Sequence, residues 1–155
     1  MSQLIATRVF SRMALAALLL VFSSFTFAAD ESRIDTVSNK DFAATVNHVE
    51  TTLKSKGLII MARIDYQKAG SGLKGATTIE FGKPATFKTM LQMMPEFGLE
   101  FPHRFYIWER GDGKTIVSYR KPSNEFSTYG NNEMVAKMGN EMDGMFAMIV
   151  KEATK

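Results

Sequence analysis

A β-hairpin at residues 103–121 is the feature that most constrains what this chain can fold into. Residues 103–110 and 114–121 flank the turn Gly111-Asp112-Gly113, and short glycine-containing turns join antiparallel strands. If Arg110 pairs with Lys114, strand alternation sorts the side chains onto two faces. The face predicted to be core carries Phe105, Ile107, Val117 and Tyr119. The opposite face carries Arg104, Tyr106, Trp108, Ile116, Ser118 and Arg120.

Strands and helices are predicted on both sides of this hairpin. Apolar spacings of three and four residues indicate helices, and runs of branched residues indicate strands. The elements expected outside the hairpin are a strand near 34–37, a helix between Ser38 and Gly57, strands at Leu58–Tyr66 and Thr77–Phe81, and helices at Ala85–Met94 and Glu133–Ala153. This order predicts one α+β domain.

Four details of this prediction depend on local patterns. Ser38 is expected to be the N-cap of the first helix, with Asp41 in its first turn. The strand at 58–66 is expected to alternate regularly, with its even-numbered residues on one face. Residues 122–132 are expected to form a polar turn. The last helix is expected to cover the sheet with a broad apolar face of Met134, Met138, Met142, Met145 and Ile149, with Val135 and Phe146 beside them.

The first 28 residues have the order of a secretory signal peptide. Arg8 and Arg12 precede the apolar run Met13–Phe22, and small residues follow it up to Ala28. The run is well short of the roughly 20 residues that span a bilayer, and no cysteine is present for lipoprotein processing. We expect cleavage after Ala28, or after Ala29, which leaves one domain at 29–155 in the bacterial periplasm or outside the cell.

Charge and cysteine content exclude several classes of function. Removal of Arg8 and Arg12 lowers the formal net charge from +3 to +1, so the domain offers no electrostatic case for binding nucleic acid. The chain has no cysteine, which excludes disulfides, thiol catalysis and thiolate metal sites. No cofactor is predicted.

Two histidines are the candidates for acid–base chemistry. His48 falls on the polar side of the first predicted helix and is expected to be solvated. His103 begins the hairpin, and it is a candidate for a general base or a metal ligand. An enzyme that uses His103 with Arg104 and Tyr119 is one hypothesis, although no catalytic motif is recognisable.

Methionine is abundant, with 11 residues in the chain. Thioethers are soft ligands that select Cu(I), and Met90, Met93 and Met94 form a tight group, as do Met142, Met145 and Met148. Both groups fall in predicted helices, where methionine commonly fills the core. Soft-metal binding is therefore an alternative hypothesis, and no metal site is assigned.

The mixed face of the hairpin is the best candidate for binding. Tyr106 and Trp108 alternate along one strand, and Arg104 and Arg120 flank them. Aromatic rings beside arginines stack flat ligands or bind a protein partner. We expect a small-ligand site formed by His103, Arg104, Tyr106, Trp108 and Arg120, or a protein interface, with a homodimer as the expected assembly.

Four sequence segments resemble one known family. They are Phe-Gly-Lys-Pro at 81–84, Met-Pro-Glu-Phe-Gly-Leu-Glu-Phe-Pro at 94–102, Tyr-Ile-Trp-Glu at 106–109 and Val-Ser-Tyr-Arg-Lys-Pro at 117–122. Together they resemble the family called domain of unknown function 302, over roughly residues 32–150. Lys83 stands where many members have asparagine, and the histidine that many members carry after the Tyr-x-x-Pro segment is absent.

The resemblance implies a fold and no activity. The fold is a two-layer α+β sandwich, in which helices pack on one face of an antiparallel sheet of about five strands. This arrangement is similar to that of the TATA-binding protein. The resemblance implies no ligand or reaction. The side chains of the hairpin indicate a binding or interaction domain.

Overall fold

The computed structural model describes residues 32–68, 70, 72–130 and 132–155. The predicted signal peptide lies outside these described residues. The strands are β1 (Arg33–Val37), β2 (Ile59–Asp65), β3 (Ala76–Gly82), β4 (His103–Glu109) and β5 (Thr115–Arg120). The α-helices are α1 (Phe42–Ser55), α2 (Pro84–Met93), α3 (Pro122–Phe126) and α4 (Glu133–Ala153), and 3-10 turns span Pro95–Leu99 and Ser127–Tyr129.

The five strands form one antiparallel sheet in the order β1-β5-β4-β3-β2. The predicted hairpin register is confirmed, since the Arg110 amide donates to the Lys114 carbonyl at 2.8 Å. Arg110 and Asp112 also form a bidentate ion pair across the turn. The predicted α+β class is confirmed, with the helices packed on one face of the sheet.

The core lies between the sheet and helices α1 and α4. The hairpin contributes the four residues predicted from its apolar face, which are 7% exposed or less. Phe146 of α4 reaches the sheet, with ring centroids 5.1 Å from Phe105 and 5.4 Å from Phe81. Burying one such aromatic side chain contributes roughly 1.5–3 kcal/mol. Among the described residues, no helix is both long enough and apolar enough to cross a bilayer.

The start of α1 differs from the prediction. Asp41, not Ser38, is the N-cap, and its carboxylate accepts a hydrogen bond from the Ala44 amide at 2.8 Å. Ser38 lies outside the helix, and its hydroxyl accepts from the Thr45 hydroxyl at 2.8 Å. Both are good capping residues, so the sequence pattern alone did not decide between them. The predicted end is confirmed, because Gly57 follows the helix with φ of +74°.

A bulge in β2 overturns the predicted alternation of that strand. The register with β3 shifts between Ile60 and Ala62, and one extra residue exchanges the two faces of a strand. Arg63 therefore lies on the helical side of the sheet, where its guanidinium is 3.5 Å from the Glu50 carboxylate of α1. A regular strand would have placed Arg63 on the opposite face.

The segment after the hairpin is helical instead of a simple turn. Pro122 occupies the first turn of α3, where its missing N–H costs no hydrogen bond. Helix α4 has the predicted bounds, and its predicted apolar face packs on the core except at Met134. Met134 is 58% exposed, and the buried residues of α4 are Val135, Gly139, Met142, Phe146, Ile149, Val150 and Ala153.

Gly139 sets the distance between α3 and α4. A Cβ at this position would lie 2.8 Å from the Ser123 Cα and 3.2 Å from the Ser123 amide nitrogen. Asp143, one turn further along α4, accepts hydrogen bonds from the Ser123 amide at 3.0 Å and from its hydroxyl at 2.5 Å. The two helices are therefore fixed in close contact, and α3 is held at the end of the hairpin.

Gly139→Ala is expected to destabilise the fold by about 1–3 kcal/mol, because the added methyl group meets backbone atoms that cannot move independently. Urea unfolding measured by circular dichroism would give this change. Gly144→Ala is the matched control in the same helix, since a Cβ there meets nothing within 4 Å. That variant should gain about 0.5–1 kcal/mol from helix propensity. Equal effects of the two substitutions would contradict the close contact.

Candidate functional site

A cavity of about 660 Å³ opens where the pairing of β4 with β5 ends. The pairs run from Glu109↔Thr115 to Tyr106↔Ser118. Each strand continues beyond this point with its other neighbour, in the pairs Phe81↔His103 and Arg33↔Arg120. The cavity lining consists of Arg33, Leu73, Glu100, His103, Arg104, Tyr106, Trp108, Ser118, Tyr119, Arg120, Glu125 and Phe146. Because these residues come from both faces of the sheet, the cavity reaches both faces at the point where β4 and β5 part.

All five residues predicted for a ligand site line this one cavity. They are His103, Arg104, Tyr106, Trp108 and Arg120. Tyr119, which was considered as a partner of His103 in catalysis, lines it too. His48 lies elsewhere, exposed on α1. The structure thus brings the candidate residues together, while their binding role stays a prediction.

Two aromatic side chains form the outer wall. The rings of Tyr106 and Trp108 are nearly parallel, at 11°, with centroids 6.3 Å apart. The Trp108 indole N–H donates to the Ser118 hydroxyl at 2.9 Å, which fixes the plane of the indole. Ser118 pairs in register with Asp35 of β1. Arg33 and the Ser118 hydroxyl lower the pKa of Asp35, against the opposing effect of burial. Polar contacts across three strands therefore hold this wall in place.

Three arginines give the cavity its positive charge. Arg104 and Arg120 extend from β4 and β5, and both are exposed. The Arg120 guanidinium donates to the Ser32 hydroxyl at 2.9 Å. Arg33 forms a bidentate pair with Asp35, with N–O distances of 2.7 and 2.9 Å. These contacts orient two of the guanidinium groups at the mouth of the cavity.

His103 lies at the inner end of the cavity among aromatic rings. The imidazole is 5% exposed. Five phenylalanines surround it, with ring centroids 5.0–6.4 Å away: Phe81, Phe87, Phe101, Phe126 and Phe146. Burial in these surroundings lowers the pKa of His103 to about 4. The imidazole is therefore neutral at physiological pH.

The ring nitrogens of His103 have no hydrogen-bond partner within the described part of the chain. In that same part no fully buried side-chain nitrogen or oxygen lacks a partner, so these nitrogens retain contact with open space. The space next to them is the cavity that His103 lines. The imidazole is thus available to a bound molecule.

The Phe-Gly-Lys-Pro segment builds one side of this aromatic pocket. A Cβ on Gly82 would lie 1.8 Å from the Phe87 ring, so only glycine leaves room for that ring. Pro84 starts α2, which carries Phe87 onto the strand. Phe87 then stacks on Phe101, with centroids 4.5 Å apart, and contacts His103. The segment therefore positions one wall of the histidine pocket.

Two carboxyl groups, those of Glu100 and Glu125, also line the cavity. Burial, together with the charge of Glu100, raises the pKa of Glu125 to about 7, although Arg104 and Arg120 oppose this. Glu100 accepts a hydrogen bond from the Tyr129 hydroxyl at 2.8 Å. Burial and this bond raise the pKa of Tyr129 to about 12. Glu125 therefore changes its charge near neutral pH, within reach of the arginines.

Sequence reasoning missed Glu100, Glu125, Arg33 and Ser118 as lining residues. Glu125 lies in α3, which was predicted as a turn, and the Lys-Pro step at 121–122 was the signal that could have revealed a helix start. Arg33 reaches the cavity through the β1–β5 register. The Arg120–Ser32 hydrogen bond beside this pairing joins residues 88 positions apart, and contacts over such a separation leave no local pattern in the sequence.

The methionine groups do not form one surface. Met90 and Met142 are buried in the core, whereas Met93 and Met148 are about half exposed. Among the described residues there is no group of three or more His, Asp, Glu or Cys side chains placed to hold a metal ion. Soft-metal binding through methionine stays a hypothesis.

A solved structure shares this fold. The crystal structure of an uncharacterised conserved DUF302 protein from Bacillus stearothermophilus matches with a TM-score of 0.71 at 14% sequence identity. The match covers 81% of this chain and 99% of that one. At this identity the likeness concerns the fold alone.

Curated relatives match over a shorter segment. Two proteins named fluoride-specific ion channel FluC 1, from Brucella suis and Brucella abortus, are 30% identical to this chain over 98 residues. The match covers 61% of this chain. The chain spans only 39% and 36% of the length of these relatives.

The family comparison covers most of the described residues. The model of the family called domain of unknown function DUF302 matches residues 34–151. This range takes in the five strands and the cavity lining, apart from Arg33 at the start of β1. The resemblance noted in the four sequence segments is confirmed, and the chain belongs to the DUF302 family.

Proposed function

We propose that this protein binds a small organic anion with a flat ring, in the cavity between β4 and β5. The observation that carries the proposal is the joint lining of one cavity by parallel aromatic rings and arginines. A volume of about 660 Å³ lies within the roughly 300–1,000 Å³ range of small-molecule sites. A two-ring compound fits such a volume better than a single ion.

The arginines favour an anionic group at the mouth of the cavity. Guanidinium groups bind carboxylates through paired N–H donors. Arg104 is an exposed lining residue, and the opposing Glu125 is uncharged below its pKa of about 7. The balance of charge therefore favours an incoming anion in neutral and mildly acidic solution.

The aromatic wall favours a flat ring over a saturated one. The fixed indole of Trp108 and the phenol ring of Tyr106 offer preorganised surfaces. Stacking on such rings contributes about 0.5–1.5 kcal/mol beyond the burial of area. A protein partner on this face is the alternative, and it would need to cover the exposed Leu73 beside the cavity.

A probe with these features is 2-naphthoate, and we expect it to bind. Arg104→Gln should weaken binding by about tenfold or more, because charge-assisted hydrogen bonds contribute about 1.5–3 kcal/mol. Calorimetry gives the affinity, and the single tryptophan, Trp108, reports contact by fluorescence. Arg63→Gln is the matched control, because Arg63 is also an exposed arginine but pairs with Glu50 away from the cavity.

The uncharged 2-naphthamide should bind more weakly than 2-naphthoate. Equal affinities, or equal effects of the two arginine substitutions, would contradict the proposed anion site. Fluoride serves as a competitor, since the Brucella relatives are named fluoride channels. Displacement of 2-naphthoate by fluoride would favour a second candidate function, the binding of a halide ion at the arginines.

The affinity for 2-naphthoate should fall as the pH rises from 6 to 8. Glu125 has a raised pKa of about 7, so it is neutral at pH 6 and negative at pH 8. Its charge then offsets Arg104 and Arg120 and repels the carboxylate, as does Glu100 nearby. Tyr129, with its pKa near 12, and the neutral His103 keep their charge states over this range. Calorimetry across the pH series measures the change, and Glu125→Gln should abolish it.

We also infer that the protein is exported and forms a homodimer. The charged, apolar and small-residue order before Ala28 supports export, and the aromatic hairpin face supports self-association. Native mass spectrometry of protein isolated from the periplasm tests both. A chain beginning at residue 29 or 30 and a doubled mass are expected. An unprocessed chain would overturn export, and a monomer at micromolar concentration would overturn the dimer.

A further inference from the structure

We propose that His103 recognises a hydroxyl group on the ligand, at the end of the cavity opposite the arginines. This inference rests on the proposed function and makes it more specific. The ligand would then be a flat, elongated hydroxy acid, with its carboxylate at the mouth and its hydroxyl at the inner end. His103 would be the residue that distinguishes it from the acid without the hydroxyl.

The position of His103 in β4 places it at the far end of the cavity from Arg104. Adjacent residues of a strand point to opposite faces, so Arg104 extends to the outer face and His103 to the helical face. Both line the same cavity. A ligand that contacts both His103 and Arg104 must extend from one face of the sheet to the other. Its two polar groups must therefore lie at opposite ends.

The chemistry of the imidazole favours a neutral polar partner. A neutral imidazole has one N–H donor and one acceptor nitrogen. A hydroxyl both donates and accepts, so it matches either nitrogen. The phenylalanine rings around His103 provide no compensation for a second charge, and burying an unpaired charge is costly. A second carboxylate at this end is thereby disfavoured.

The surroundings of His103 also argue against a purely structural role. Most buried polar groups are hydrogen-bonded to other protein groups. His103 is almost completely buried among phenylalanines, and it has no partner in the described part of the chain. A phenylalanine at this position would fill similar space without burying a polar group that lacks a hydrogen-bond partner. Recognition of a ligand gives the imidazole a function there.

The test compares 6-hydroxy-2-naphthoate with 2-naphthoate by calorimetry at pH 6.5. The two acids share the ring and the carboxylate, and they differ only in the hydroxyl at the far end. We expect the hydroxy acid to bind about tenfold more tightly to the unmodified chain. In His103→Phe that preference should vanish, so that the ratio of the two affinities falls to about one.

A second measurement does not depend on a variant that must fold. The imidazole nitrogen chemical shifts of His103, followed by ¹⁵N NMR, should move on addition of 6-hydroxy-2-naphthoate and much less with 2-naphthoate. His48, which is exposed on α1, is the internal control, and its shifts should stay constant. Circular dichroism establishes whether His103→Phe retains the fold.

The outcomes separate this inference from the function on which it rests. If neither acid binds, the proposed function is wrong and this inference is wrong with it. If both bind equally and the His103 shifts do not move, the anion site stands and the role of His103 is overturned. A hydroxyl preference that persists in folded His103→Phe would also overturn it.

Discussion

The short pairing between β4 and β5 is the constraint on which the cavity depends. Continuing their register beyond Tyr106↔Ser118 would place Arg104 directly opposite Arg120. Like charges at directly opposed positions destabilise a sheet. The strands instead keep their outer neighbours, β3 and β1. The same two arginines therefore limit the hairpin and supply the charge at the opening.

The inner end of the cavity is continuous with the core. Phe146 packs against Phe81 and Phe105 as a core residue, and it also lines the cavity beside His103. The Gly82–Phe87 contact and the Gly139–Ser123 contact bring α2 and α3 against this region. The packing that stabilises the fold thus also shapes the inner end of the cavity, since close-packed interiors transmit small displacements.

Local patterns predicted the parts of the fold that local physics determines. The hairpin register followed from alternation and a glycine turn, and the bounds of α4 followed from apolar periodicity. The exposure of Met134 did not, because only tertiary packing decides which apolar residues of a helix face are buried. Contacts between distant segments also determine three other features. These are the β2 bulge, the N-cap at Asp41 and the pairing of Arg33 with the hairpin strand β5. Five residues of the candidate site were predicted because one strand pair carries them. Glu100 and Glu125 lie on separate segments of the chain, and they were missed.

The bulge in β2 also bears on how copies of this chain behave at high concentration. β2 is an edge strand, and it leaves Ile59, Met61 and Ile64 40–50% exposed. A regular apolar edge would offer a template for strand addition and aggregation. The register shift between Ile60 and Ala62 interrupts that template, and Arg63 and Asp65 add charges along the same strand. The irregularity that moves Arg63 toward Glu50 therefore also disfavours strand addition at this edge of the sheet.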